Sequence, residues 1–242
     1  MLKFKALLFD VFGTVVDWRS GISNAIEIIA KKNNVQINAS EFADAWRKEY
    51  QPAMEEIRKG RREFTILDIL HRENLKKIAP KFNLNNLSEK DEDFLVTAWH
   101  RLPGWPDSSA GLKRLKNKFI IATQSNGNIA LMVNMAKHSN LNWDVILGAE
   151  VLQYYKPHPQ AYLKACKSLN LDPSECLMVA AHDDDLLAAS KQGMKTAYVD
   201  RPYEFGKEKL FDIDEENDYK VIRNWDFISN DFNDLANQLG CE

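Results

Sequence analysis

Cysteine is scarce, three in 242 residues, and Cys166, Cys176 and Cys241 follow no paired or metal-ligand spacing. A disulfide framework and a zinc site are therefore both excluded, and the three read as reduced thiols. Long apolar runs are missing too. The longest near the amino terminus breaks at Asp10, far short of the roughly 20 residues a spanning helix needs. No small-residue cleavage site follows, so the expected location is the cytoplasm, with no membrane partner. A net charge of -3 with both signs dispersed leaves no basic footprint and argues against nucleic acid. There is no internal repeat. The acidic stretch Phe211 to Asp218 lacks the glycine pattern of a calcium loop and reads as solvated surface. What remains is a chain with 45% hydrophobic residues, able to bury a full core as one large domain or a core plus a smaller partner.

The five residues Lys5-Ala6-Leu7-Leu8-Phe9 read as a short apolar strand with no polar face, the kind buried on both sides of a parallel sheet. It stops at Asp10, ahead of the turn-forming Gly13. From there to about residue 100 the apolar positions recur at helical spacing: Ile22, Ile26, Ile29; Phe42, Ala45, Trp46; Ile66, Ile69, Leu70; Phe94, Leu95, Ala98. Ser88-Glu89-Lys90-Asp91 matches a capping box. Leu102-Pro103-Gly104-Trp105-Pro106 cannot continue a helix and reads as a return hinge. After it come a helix from Ser108 to about Lys116 and strands at Phe119–Thr123, Val145–Leu147, Leu177–Ala181 and Thr196–Val199. This βαβ alternation predicts an α/β fold, a parallel sheet with helices on both faces.

The polar residues at the strand ends carry the chemistry. Open α/β sheets place ligands at the carboxyl ends of their strands, which marks Asp10, although an aspartate there can also simply start a turn. Gln124-Ser125-Asn126-Gly127-Asn128 opens a helix, where free amides and the positive dipole end suit an anion; equally, Ser125 or Asn126 could only cap that helix. Lys156, ahead of Pro157 and Pro159, has its backbone restricted, while His158 reads as surface. His182-Asp183-Asp184-Asp185 closes the third of the later strands. A histidine beside a carboxylate can take a proton from water near neutral pH, or sit buried as a fixed tautomer. Arg47 follows Trp46 on a predicted helix and as bare sequence is a surface cation. Phe12, Trp18, Trp46 and Phe64 could line an apolar pocket or form core.

Asp10-Val11-Phe12-Gly13-Thr14 resembles the nucleophile motif of the haloacid dehalogenase superfamily, and the later motifs resemble its type II 2-haloacid dehalogenase branch. That resemblance implies a Rossmann-like parallel core (1–16 and 103–242) with an inserted helical cap (17–102). It implies hydrolysis of short 2-haloalkanoic acids to 2-hydroxy acids through an aspartyl ester on Asp10, with Lys156 and Thr14 beside the nucleophile. Asp185, alone or with His182, would activate water. Ser125, Val11 and Phe12 would bind the substrate carboxylate; Arg47 and Asn126 would hold the halide. Superfamily phosphatases carry a second aspartate where this chain has Phe12, and a magnesium-binding aspartate about where it has Ala180 or Ala181. The branch therefore implies no cofactor and no metal; its partner is a small 2-haloacid, and dimerisation is common in it. The rivals are a magnesium-dependent phosphatase of this fold and an inactive binding protein.

Overall fold

The computed structural model describes residues 4–206 and 224–242; the stretch Phe211 to Asp218 lies outside them. Five strands, β1 (Ala6–Phe9), β2 (Ile120–Thr123), β3 (Cys176–Ala180), β4 (Lys195–Val199) and β5 (Phe227–Ser229), form one sheet in the order β2-β1-β3-β4-β5. Every neighbouring pair is parallel. Side chains alternate across it. Leu7, Phe9, Leu177, Val179 and Ala197 enter one apolar cluster, and Ala6, Leu8, Met178 and Ala180 enter another. With both faces covered, neither needs a polar residue, which is why β1 and β3 read as unbroken apolar runs.

Between β1 and β2 lie α1 (Trp18–Lys32), α2 (Ala39–Lys48), α3 (Tyr50–Arg58), α4 (Leu67–Ile78) and α5 (Glu89–Val96), with no strand among the described residues of that stretch. Asp17 caps α1 by accepting from the Ser20 amide, and Ser88 caps α5 by accepting from the Asp91 amide. The Asp91 carboxylate turns to the Ser88 hydroxyl (2.8 Å) and Lys32 (2.6 Å). Trp18, Phe42, Trp46 and Trp99 fill the centre of this helical block. The block leaves and rejoins the sheet side by side: Val16 bridges Gly104 in antiparallel fashion and the Asp17 amide donates to Pro103 (2.9 Å).

The later helices are α6 (Ser108–Lys116), α7 (Ile129–His138), α8 (Ala149–Leu152), α9 (Pro159–Ser168), α10 (Asp183–Ser190) and α11 (Phe232–Gln238). Leu112, Leu115, Phe232 and Leu235 cover one face of the sheet; Tyr162, Ala165, Leu186 and Ala189 cover the other. Two expectations need correction. Val145–Leu147 is not a strand but a single bridge to Ala122: backbone bonds link Val145 to Ile121 (3.3 Å) and Thr123 (3.2 Å), and beyond it the Leu147 amide donates to the Thr123 hydroxyl (2.9 Å) instead of extending the ladder. Three-residue β5 escaped notice. His158 is half-buried rather than a surface residue, stacked on Tyr154 and capping α9.

Candidate active site

Asp10 follows β1 where the chain connects to β2 on one side and β3 on the other, the topological switch point of an open α/β sheet. It is 7% exposed. Oδ1 accepts from Lys156 Nζ (2.9 Å), and Oδ2 accepts from the Thr14 hydroxyl (2.7 Å) and from His182 Nδ1 (3.1 Å). Lys156 also donates to Asp185 Oδ2, while the Tyr162 hydroxyl donates to Asp185 Oδ1 (2.6 Å). His182 Nε2 reaches both oxygens of Glu204 (3.1 and 2.9 Å).

Several separate segments supply this array. Thr14 sits in the turn after β1, its hydroxyl accepting from the Ala181 amide (2.9 Å) as it donates to Asp10. Lys156 comes from the loop between α8 and α9 rather than from a strand end, held by its own amide donating to Asn126 Oδ1 (2.7 Å) and by Arg58 of α3 donating to its carbonyl (2.8 Å). Asp185 lies in the first turn of α10. Glu204 belongs to the turn after β4, which Arg201 ties down by donating from Nε to the Thr14 carbonyl (2.8 Å) and from its terminal nitrogens to Asp107 (2.9 and 2.8 Å).

Burial alone would raise the pKa of Asp10, yet the Lys156 charge and the hydrogen bonds from His182 and Thr14 outweigh it and hold the carboxyl far below the usual range. The nucleophile candidate stays ionised. Burial likewise opposes the charge on Lys156, but the two aspartates drive its pKa up. Asp185 moves the other way: burial and the nearby Asp10 charge raise it against the pull of Lys156. For His182, burial disfavours the cation, and the charge of Glu204 with the bond to Asp10 overcomes it, raising the pKa well above the ordinary histidine value. Two carboxylates facing the two ring nitrogens favour a donor on each, the arrangement an imidazolium supplies. A ring that donates from both nitrogens is a poor base for water, which leaves Asp185 as the better placed of the two expected bases.

The array opens into a cleft of about 210 Å³ lined by Asp10, Phe12, Arg47, Asn126, Lys156, His182 and Asp185 together with Tyr50, Gln51, Pro157, Tyr162, Asp184, Glu204 and Phe205. Drug-sized ligands occupy roughly 300–1,000 Å³, so the occupant is small. Across the cleft, Arg47 lies 4.1 Å from the Tyr50 ring centroid and 5.6 Å from that of Phe12, with Nη1 buried and without a partner. A half-buried cation with one buried, unused donor, packed on ring faces, is poised for an anion. Ser125 and Val11 do not line the cleft. Ser125 Oγ accepts from the Gly127 amide (3.1 Å) and Val11 is fully buried; among the described residues the amides of Val11, Phe12, Ser125 and Asn126 have no backbone acceptor. Asn128, not Ser125 or Asn126, occupies the cap position of α7. Of the four aromatics suggested for the wall only Phe12 serves; Trp18 and Trp46 are core, and Phe64 stacks on Tyr155.

Sequence reasoning missed Tyr162 and Glu204. Tyr162 falls beside Ala161 and before Ala165 in an apolar helix pattern, which reads as core. Glu204 carried a usable signal, a carboxylate just past the end of a parallel strand. Among the described residues no group of three or more His, Cys, Asp or Glu side chains is disposed to hold a metal ion, and no helix is long and apolar enough to cross a membrane.

A parallel sheet with an aspartate, a lysine and a second aspartate gathered at its switch point is the framework of a haloacid dehalogenase-like hydrolase. The family model of that description matches residues 4–193, and the chain belongs to this family. Within it the chain falls in the type II, 2-haloacid dehalogenase branch. It is 30% identical over 203 residues to (S)-2-haloacid dehalogenase 4A of Burkholderia cepacia, covering 82% of this chain and 84% of that one. It is 26% identical over 205 residues to (S)-2-haloacid dehalogenase 1 of a Pseudomonas species, covering 83% and 86%. The crystal structure of a defluorinating L-2-haloacid dehalogenase superposes with a TM-score of 0.91 at 43% identity, covering 98% of this chain and 96% of that one.

Proposed function

We propose that this chain hydrolyses short (S)-2-haloalkanoates to 2-hydroxy acids through an ester on Asp10, without a metal. One observation carries the reading: a buried carboxylate, kept ionised by Lys156, faces Arg47 and its unused donor inside a cleft of about 210 Å³. Of Ser125, Val11 and Phe12 only Phe12 lines the cleft, so its amide, with that of the neighbouring Asn126, takes the substrate carboxylate. Arg47 and Asn126 surround the halogen.

Asp10 Oδ1 attacks the carbon bearing the halogen in line, inverting it, and the carbon–halogen pair leaves as halide. Arg47 stabilises the charge that builds there, an electrostatic contribution realised in the transition state. Halide is stable as an anion and needs no proton, which accounts for Phe12 where a phosphatase carries an acid. Lys156 supplies the cation between Asp10 and Asp185 that a divalent ion supplies elsewhere. Asp185 then takes a proton from water attacking the ester carbonyl, its raised pKa making it a better base. Helices α1 to α5 act as a cap that excludes competing water.

The test is halide release from a panel of 2-chloro, 2-bromo and 2-fluoro acids in the presence of chelator. Fluoroacetate belongs in the panel because the relative at 43% identity is a defluorinating enzyme. The expected result is chelator-insensitive release that disappears in Asp10→Asn. Magnesium-dependent hydrolysis of an aryl phosphate without halide release would replace this reading by the phosphatase one.

A further inference from the structure

Asp10 presents its two oxygens unequally. Oδ1 takes one donor, Lys156, whereas Oδ2 takes two, the Thr14 hydroxyl at 2.7 Å and His182 Nδ1 at 3.1 Å. Oδ2 is therefore the weaker nucleophile, and Oδ1 forms the ester. Once Oδ1 is alkylated, Oδ2 is the ester carbonyl oxygen, already facing two donors.

Behind His182 stands Glu204, 4% exposed, with both oxygens on Nε2 and Oε1 also accepting from Trp18 Nε1 at 3.0 Å. The backbone is shaped around it. Gly13 has φ +87°, and a Cβ there would lie 2.1 Å from Glu204 Oε1. A buried carboxylate with a histidine and an indole on it, in space that only a glycine leaves open, is built in rather than incidental.

We propose that Glu204 is a positioning residue for the second half of the reaction: it holds His182 as a double donor, so that His182 and Thr14 form the oxyanion hole for Asp10 Oδ2 during ester hydrolysis. This rests on the dehalogenase reading above. Water oxygen bonds to Asp10 Cγ, the C=O pair moves onto Oδ2, and the water proton passes to the Asp185 carboxylate. The pair then returns, the Cγ–Oδ1 bond breaks, and the departing alkoxide takes that proton from Asp185. Asp10 is left as a carboxylic acid that loses its proton to solvent. Alkylation needs less of this help, because negative charge leaves Asp10 in that step. Removing Glu204's charge should therefore slow hydrolysis and spare halide formation.

The other charged groups on the cleft with His182 are Asp10 after β1, Arg47 on α2, Lys156 in the α8–α9 loop, and Asp184 and Asp185 on α10, beside Asp183. All persist in Glu204→Gln, so a change in pH dependence belongs to Glu204. The experiment follows chloride release and intact protein mass after mixing with (S)-2-chloropropanoate. In Glu204→Gln a chloride burst near one equivalent should persist, the propanoate ester should accumulate, and turnover should fall by about tenfold or more, short of the 10²–10³ for deleting an oxyanion donor. The alkaline limb of turnover should move to lower pH. His182→Gln should also accumulate ester, and adding Glu204→Gln to it should change nothing further, since no imidazolium remains to be held.

An unchanged burst-to-turnover ratio and pH profile in Glu204→Gln would overturn the proposal, as would an undiminished Glu204→Gln effect in the His182→Gln background. If Glu204→Gln does not fold, absence of ester in His182→Gln suffices to overturn it. Wild-type protein releasing no halide would sink the dehalogenase reading itself, and this inference with it.

Discussion

The carboxylate of Glu204 occupies the space that a side chain at residue 13 would need: a Cβ on Gly13 would lie 2.1 Å from Oε1, 2.5 Å from Cδ and 2.9 Å from Oε2. Gly13 also sits at φ +87°, a conformation that costs other residues of order 1–3 kcal/mol. Gly13→Ala should therefore destabilise by more than about 2 kcal/mol, strain and displacement acting together. Denaturant unfolding measures this. A change below about 0.5 kcal/mol, the range of ordinary surface substitutions, would mean that Glu204 is free to move and the packing is not tight.

That contact also marks where the sequence stopped being readable. Asp10, Lys156 and Asp185 were legible because each stands in a recognisable local motif. Glu204 joins them only through a turn anchored by the Arg201–Asp107 pair and the Thr14 carbonyl, and pairs over 90 residues apart leave no local pattern. The strands of the sheet centre were legible for a physical reason too, since burial on both faces strips them of polar residues. Val145–Leu147 has the same apolar look, but its ladder ends after Val145, where the Thr123 hydroxyl accepts the Leu147 amide, a detail that periodicity does not register. Tyr162 hides because one residue serves two ends, a ring in the core and a hydroxyl on Asp185.

Lys156 separates two buried carboxylates that otherwise share one site. In Lys156→Met, Asp10 and Asp185 lose their common cation, and breaking a buried pair in this way costs roughly 3–5 kcal/mol. Protonation of one aspartate is the expected relief, because like charges cannot both stay ionised so close. Halide release at neutral pH should fall below detection. A Lys156→Met protein that keeps its unfolding midpoint and more than a tenth of its halide burst would contradict this role.

Arg47 owes its place to its planar guanidinium. It rests 4.1 Å from the Tyr50 centroid and 5.4 Å from that of Trp18 with Nη1 unpartnered. Lysine keeps the charge but not the flat face or the second donor. Arg47→Lys should therefore lower the alkylation rate by about tenfold or more, the scale of losing ~1.4 kcal/mol of halide stabilisation, and weaken inhibition by added bromide. The chloride burst and a bromide titration report these separately. Bromide inhibition equal to wild type would place the halide elsewhere.

His182 and Asp10 set the two ends of a pH window for stability. Asp10 has its folded pKa depressed, so its contribution is fully present above the unfolded value of about 3.9 and is lost as pH falls toward the folded one. His182 has its folded pKa raised, so its contribution is complete below about pH 6.5, the unfolded value, and drains away as pH rises through the folded one. Wild-type stability should thus hold through neutrality and decline on the alkaline side. In His182→Gln, which cannot titrate, the level near pH 6 should be lower, because Glu204 loses a cationic partner, and the alkaline decline should flatten. Urea midpoints taken from pH 5 to 10 decide it. Parallel curves for the two proteins would mean that the ring between Asp10 and Glu204 is neutral, and with that result both the donor pair on Oδ2 and the part assigned to Glu204 would fall.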